Sequence, residues 1–197
     1  MQTVDRSLLN QAQALAVALN ERDEYTSGHC DRVVSFSLEL GKKCELSSAE
    51  LRSLQLAAAL HDVGKIGVPD RVLLKRGRLD ANDWEIMKNH SEQGERILMA
   101  LETQEMQCTA RIVRHHHESF DGSGYPDALA GENIPVLSRI VALADSYDAM
   151  ATTRPYHLPK THREIIAIMD KESGSKFDPD IFQRFLKVVE GSRNMAG

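Results

Sequence analysis

The sequence predicts a nearly all-α fold. Apolar residues recur at helical spacing along most of the 197 residues, no stretch sustains the period-two alternation of a half-buried strand, and loop chemistry is concentrated at 118–135. Leu8, Leu9, Ala12, Leu15, Ala16 and Leu19 lie three or four apart or adjacent, which makes 4–20 an amphipathic entry helix. A second helix spans 29–43 and a third 48–61. Ser47, Ser48 and Glu50 supply a capping sequence for the third, and Gly64 and Gly67 break its pattern. A short helix at 69–74, another at 81–89, a longer one at 91–101 and one at 109–117 follow. Gly122, Gly124, Pro126, Gly131 and Pro135 then interrupt all periodicity. Helices resume at 137–151, 161–171 and 179–190, the last with Asp178 as cap and Pro179 in its first turn.

The length suits one domain with a well-buried core, and no Pro/Gly/Ser-rich linker divides it. Residues 1–197 therefore read as a single module, with an entry helix over 1–20 and a core over 21–190. Lys and Arg number 24 against 29 Asp and Glu, a formal charge of −5 that gives no global attraction to a nucleic-acid polymer or an anionic membrane. Any phosphate must be captured locally. Cys30, Cys44 and Cys108 are odd in number and lack CxxC spacing, which argues against a disulfide framework or a zinc finger. The first twenty residues contain neither a signal-peptide core nor a transmembrane length, so the expected compartment is the cytoplasm, without membrane insertion.

The chemistry rests on His29, the pair His61-Asp62, His90, the pair His116-His117 and Asp145, each on an expected helix face that is otherwise apolar. His61 follows Leu54, Ala57 and Ala58 at helical spacing, so its imidazole points where the apolar stripe points. His90 sits over Ile86 and Met87, His116 over Ile112 and Val113, and His29 faces Val33 and Phe36. Asp145 closes the run Ile140 to Ala144, where a carboxylate must be neutralised, paired or bound to a cation. A lone inward histidine is more often a hydrogen-bonded core residue than a ligand. Five helices presenting such groups together point instead to a shared metal centre. Imidazole and carboxylate without nearby thiolate suit iron, manganese, zinc, cobalt or nickel, and the set exceeds one tetrahedral site. Two adjacent ions fit better, with Asp62 as the natural bridge because it follows a ligand histidine directly.

These residues lie in recognisable motifs. His61-Asp62-Val63-Gly64-Lys65, His116-His117-Glu118 and Asp121-Gly122-Ser123-Gly124-Tyr125-Pro126 resemble the HD-GYP family, a branch of the HD-domain metal-dependent phosphohydrolases. The resemblance extends through Arg22-Asp23, the segment Tyr25 to His29, Gly67 to Asp70, Met87 to His90, Asp145 to Met150 and Arg154-Pro155-Tyr156, and ends near Phe177-Asp178-Pro179. It implies an all-α HD-domain bundle with a Gly/Pro-rich loop near the metal site. The implied activity is hydrolysis of cyclic di-GMP to linear pGpG, and onward to GMP where a third ion is present. By motif position the metal ligands would be His29, His61, Asp62, His90, His116, His117 and Asp145, with His115 the spare member of its triplet. Asp62 and Lys65 would act in catalysis; Lys65, Gly124, Tyr125, Pro126 and Arg154 would contact substrate. The resemblance also implies docking to GGDEF-type cyclases through the loop, and an upstream receiver or sensor domain as the source of control.

Two departures from the family pattern bear on the reaction. Relatives with three ions carry Glu four residues before the first ligand histidine, and here that residue is Tyr25. A phenol, neutral at pH 7, is a poor substitute for a carboxylate on a hard divalent ion, so two ions and a reaction ending at pGpG are expected. His157 stands where relatives often carry Lys or Arg, which removes one phosphate contact. Two alternative functions stay open on sequence: hydrolysis of another cyclic dinucleotide such as 3′,3′-cyclic GMP-AMP, and a non-catalytic adaptor that binds a cyclase through the Gly124-Tyr125-Pro126 loop.

Overall fold

In the computed structural model, which describes residues 6–22, 28–152 and 159–190 and their side chains from residue 10 onward, the continuous apolar patterns are helices. Leu8, Leu9, Tyr25, Arg154 and His157 lie outside the described side chains. In chain order the elements are α1 (Arg6–Asn20), α2 (His29–Lys43), α3 (Ser48–Leu60), a 3-10 turn (Val63–Gly67), α4 (Asp70–Leu73), α5 (Ala81–Lys88), α6 (His90–Met99), α7 (Gln104–Arg114), a second 3-10 turn (Gly131–Asn133), α8 (Val136–Ala151), α9 (His162–Lys171) and α10 (Pro179–Val189). Among the described residues, extended pairing is limited to two isolated bridges.

Local chemistry sets the helix starts. Ser47 Oγ accepts from the Glu50 N–H at 3.3 Å while the Glu50 carboxylate accepts from the Ser47 N–H at 2.8 Å, closing a capping box on α3. Thr161 and Glu164 repeat the device on α9. Asp178 caps α10 by accepting from Asp180 and Ile181 N–H, with Pro179 in the first turn as its fixed φ favours. One expected helix moves at both ends. The helix placed at 109–117 begins at Gln104, because Thr103 accepts from the Met106 N–H, and it ends at Arg114. The polar residues Gln104, Glu105 and Gln107 conceal that first turn, in which Met106 alone is buried.

α2 packs on α3, α8 and α10; α6 lies against α7 and the 3-10 turn; α3 reaches across to α7 and α8. At the junction of α2, α8 and α10 the rings of Phe36, Tyr147 and Phe185 meet edge to face, with centroids 5.1, 5.6 and 6.2 Å apart. Each such pair contributes about 0.5–1.5 kcal/mol beyond its burial. The entry helix joins the core through Ala12 and Leu19, both buried, and the Arg22 guanidinium just beyond it donates to the carbonyls of Ile66 and Val68. α1 is thereby tied to the 3-10 turn.

The loop after α7 folds back on itself. Gly122 takes a positive φ of 84°, whereas Gly124 is needed for close approach: a Cβ there would lie 2.1 Å from the Ser119 nitrogen. Glu118, which is buried, accepts from the Asp127 and Leu129 N–H groups at 2.8 and 3.1 Å. The Phe120 and Asp121 N–H groups donate to carbonyls of Lys176 and Ser175, pinning the loop to the turn before α10.

Candidate metal centre

His29, His61, Asp62, His90, His116, His117 and Asp145 converge between the α2/α3/α8 side of the bundle and the α6/α7 side. The ligand atoms of His29, His61 and Asp62 lie within 4.8 Å of one another, as do those of His90, His116 and His117. Within these groups the Nε2 atoms approach closely: His29 to His61 at 3.3 Å, His90 to His116 at 3.4 Å and His117 to His90 at 3.2 Å. Asp145 Oδ1 is 3.3 Å from His29 Nε2 and 3.8 Å from His61 Nε2. Asp62 stands between the two sets, with Oδ2 3.5 Å from His61 Nε2 and Oδ1 3.6 Å from His90 Nε2.

The expectation that these residues sit on helix faces needs correction. Only Asp145 lies in the body of a helix. His29 and His90 are the first residues of α2 and α6, and His61 is the C-cap of α3. Asp62 follows it into the 3-10 turn, and His116 and His117 lie in the turn after α7. The reason is backbone chemistry. The last carbonyls of a helix have no intrahelical partner. His61 Nδ1–H donates to the Ala58 carbonyl at 2.8 Å, His90 Nδ1–H to Met87 at 2.7 Å and His116 Nδ1–H to Val113 at 2.5 Å. Those acceptors fall in the last turns of α3, α5 and α7. A carbonyl can only accept, so the proton resides on Nδ1 and the Nε2 lone pair is directed into the site.

His29 uses a side chain for the same purpose. Its Nδ1–H donates to Asp148 Oδ2 at 2.7 Å, and Asp148 in turn accepts from Arg32 Nε at 2.6 Å and Nη2 at 3.0 Å. Neither Asp148 nor Arg32 was singled out by the spacing argument. The available signal was a second carboxylate one turn beyond Asp145 on an apolar helix. Close packing holds the set in place: a Cβ on Gly64 would lie 1.8 Å from the His90 carbonyl oxygen, so the 3-10 turn presses backbone to backbone on α6.

Protonation follows the surroundings. Burial pushes the His116 pKa down to about 3 and lowers those of His90 and His117, leaving neutral imidazoles with free lone pairs. Burial also opposes charge on Asp62, but the Lys65 ammonium beside it, the largest opposing influence, holds the carboxylate ionised. At His29 burial works against protonation, while hydrogen bonds with Asp145 and Asp148 raise the pKa to about 9. Neutral His90, His116 and His117 beside ionised carboxylates are the protonation states a divalent ion requires, while an ion at His29 would have to displace the proton that Asp145 and Asp148 favour there; this cluster is able to bind metal.

The remaining expected site residues divide. Lys65 Nζ lies 2.7 Å from Asp62 Oδ2. Tyr125 stacks on His117, with ring centroids 4.9 Å apart and planes at 29°. His115 turns away, as its place outside the ligand set implied: Nδ1 meets the Arg111 carbonyl at 2.9 Å and Nε2 meets Asp127 Oδ2 at 2.9 Å. Asp127 also takes two bonds from Arg114, at 2.8 and 2.7 Å, so His115, Asp127 and Glu118 anchor the loop. A cavity of about 540 Å³ opens beside His116, His117 and Asp145 and passes under Gly124 and Tyr125. Among the described residues no helix is long and apolar enough to cross a membrane.

Known proteins resemble this chain in sequence and fold. The HD domain family matches residues 9–181. A cyclic di-GMP phosphodiesterase of Thermotoga maritima is 42% identical over 167 residues, covering 85% of this chain and 45% of that protein. The 3′3′-cGAMP-specific phosphodiesterase 2 of Vibrio cholerae is 38% identical over 173 residues, covering 88% and 33%. The chain spans less than half the length of both. The crystal structure of a cyclic GMP-AMP-specific phosphodiesterase of V. cholerae superposes with a TM-score of 0.68 at 22% identity, covering 91% of this chain and 49% of that one, which shows a common fold. With the family match running from α1 into α10 and enclosing the whole His/Asp cluster, this chain belongs to the HD-domain family and carries the motifs of its HD-GYP branch.

Proposed function

We propose that residues 1–197 form one hydrolytic module, an entry helix over 1–20 and a catalytic core over 21–190, that opens cyclic di-GMP to linear pGpG. The observation that carries this reading is Asp62, whose two oxygens face two separate imidazole sets at 3.5 and 3.6 Å. That placement supports a carboxylate shared by two ions. His29, His61 and Asp145 would hold one divalent first-row ion, iron, manganese, nickel, cobalt or zinc; His90, His116 and His117 would hold the other. Two such ions, when bound, would supply Lewis-acid neutralisation of a phosphodiester and lower the pKa of an attacking water.

The protein's own groups do the rest. Lys65, already at Asp62, brings a cation to the point where phosphate charge must be balanced. Tyr125 braces His117, and the loop anchored by Glu118 and Asp127 roofs the cavity, whose volume falls in the range of small-molecule sites, about 300–1,000 Å³. The relatives' names support a cyclic dinucleotide, and the V. cholerae relative favours 3′,3′-cyclic GMP-AMP as the second reading. Arg154 is the proposed further phosphate or guanine contact. GGDEF-type cyclases and an upstream receiver or sensor domain are the proposed partners.

The test is metal analysis of anaerobically purified chain, followed by turnover of both cyclic dinucleotides with each candidate ion. Two ions per chain and opening of cyclic di-GMP to pGpG are expected. One ion or fewer at full activity removes the bridging role, and absence of turnover with every ion favours the adaptor.

A further inference from the structure

A cyclic dinucleotide brings two purines and two phosphates, and the metal cluster engages one phosphate. The second half of the ligand needs a place of its own, and the cavity has a wall that the metal chemistry leaves unused. Trp84 on α5 lines it and is 47% exposed. A large ring left half in water at the mouth of a cavity offers a flat surface to a flat partner.

Tyr125 cannot offer the same, because one of its faces is committed to His117. Trp84 meets Tyr125 edge to face, at 6.3 Å and 83°, and among the described residues that is its only ring contact. Among the described residues no ring stacks on its indole faces. Lys88, four residues on and so on the same side of α5, also lines the cavity, with Nζ 5.8 Å from the Tyr125 centroid. Its partner is Glu85 at 2.7 Å, a carboxylate 69% exposed, and such a solvent-screened pair yields readily to a phosphate. The helix that presents both is pinned from behind: Asp80 accepts from the Asp83 N–H, and the buried Asp83 carboxylate is held by Arg71 and Lys75.

We propose that Trp84 and Lys88 form a purine-and-phosphate subsite: the indole stacks on one purine and the Lys88 ammonium pairs with the phosphate that is not cleaved. This rests on the cyclic dinucleotide reading above and adds two substrate-binding residues to it. Stacking on an indole is tolerant of base identity, so the subsite sets affinity for the dinucleotide and leaves the choice between guanine and adenine to other contacts.

Trp84 is the only tryptophan in the chain, so intrinsic emission reports on this wall alone. Stopped-flow mixing of manganese-reconstituted chain with cyclic di-GMP is expected to change that emission before product forms, saturating with concentration. Trp84→Ala should raise KM about tenfold, with the loss falling on KM rather than kcat, and Trp84→Phe should recover most of it. Lys88→Ala should raise KM about tenfold and flatten its salt dependence. All three variants should keep their metal. Saturable binding of cyclic di-GMP by calorimetry with unchanged Trp84 emission, or wild-type KM in Trp84→Ala and Lys88→Ala, overturns the subsite and leaves the proposed function standing. No binding and no turnover of either cyclic di-GMP or 3′,3′-cyclic GMP-AMP overturns the proposed function, and the subsite with it.

Discussion

His29 owes the direction of its Nε2 atom to Asp148, 119 residues away in sequence, and Asp148 owes its place to the Arg32 fork. A carboxylate behind a ligand imidazole raises the basicity of the ligand and fixes its tautomer. Asp148→Asn keeps the shape and removes the charge, so metal affinity should fall about 10–100-fold with the fold retained, as read by metal titration and circular dichroism. Affinity equal to wild type would reduce Asp148 to a packing residue. Lys65 can be separated from the ligands in the same way. Lys65→Ala should lower turnover about ten- to a hundredfold, as loss of a charge-assisted bond of about 1.5–3 kcal/mol requires, with both ions still bound. Loss of metal from that variant would show that Lys65 serves Asp62 rather than substrate. Of these residues Lys65 was legible because the motif names it. Asp148 was not, because its partner lies on another helix and no local pattern records the pairing.

At the scale of elements, the centre is built from helix ends. Three C-terminal turns, those of α3, α5 and α7, each lend a carbonyl to an imidazole Nδ1–H and so direct three Nε2 atoms inward. The negative end of the helix dipole also suits a site that collects cations. The helices themselves could be read from periodicity and caps. Their ends, where the ligands sit, are where such reading is least sharp, and the displaced start and end of α7 show it. The contact of the 3-10 turn with α6 was invisible as well, since a glycine in a motif does not say which backbone it must approach. Gly64→Ala puts a methyl against the His90 carbonyl, which cannot rotate away. Overpacking of this kind costs about 1–3 kcal/mol. At about 2–4 °C per kcal/mol for a chain this long, the melting temperature should drop several degrees. Metal content should fall with it, because the shift moves His90 and Asp62 apart. A variant with wild-type melting and full metal would mean the turn can slide on α6 without cost.

The whole molecule buries several titratable groups around one point, and its stability without metal should record that. Burial lowers the His116 pKa to about 3 and depresses His90 and His117, so below pH 6.5 the unfolded chain binds protons that the folded chain refuses. The stability these residues contribute is present above pH 6.5 and is lost as pH falls toward 3. His29 acts in the opposite sense. Raised to about 9 by Asp145 and Asp148 against the effect of burial, it stabilises fully below pH 6.5 and loses that contribution as pH rises through 9. Calorimetry of the chelator-treated chain should therefore give a melting temperature highest near neutral pH and falling on both sides. A melting temperature unchanged from pH 7 down to about 5 would contradict the buried neutral imidazoles.

The sequence by itself determined the helical class, most of the helix spans and the identity of the seven converging residues, because helical periodicity, capping side chains and short motifs are local properties. The resemblance to the HD-GYP family set His115 apart from its neighbours, through the motif spacing to Glu118 and Gly124-Tyr125-Pro126, and in the structure its ring meets Arg111 and Asp127. Only the tertiary structure decided that Asp62 lies between two imidazole sets, that orphaned helix-end carbonyls and Asp148 direct the ligand nitrogens, and that Trp84 lines the cavity with no described ring stacked on its indole faces. Those facts depend on which helix end meets which. That is settled by long-range packing of the Phe36, Tyr147 and Phe185 core and by backbone contact at Gly64, and neither leaves a period or a spacing in the chain.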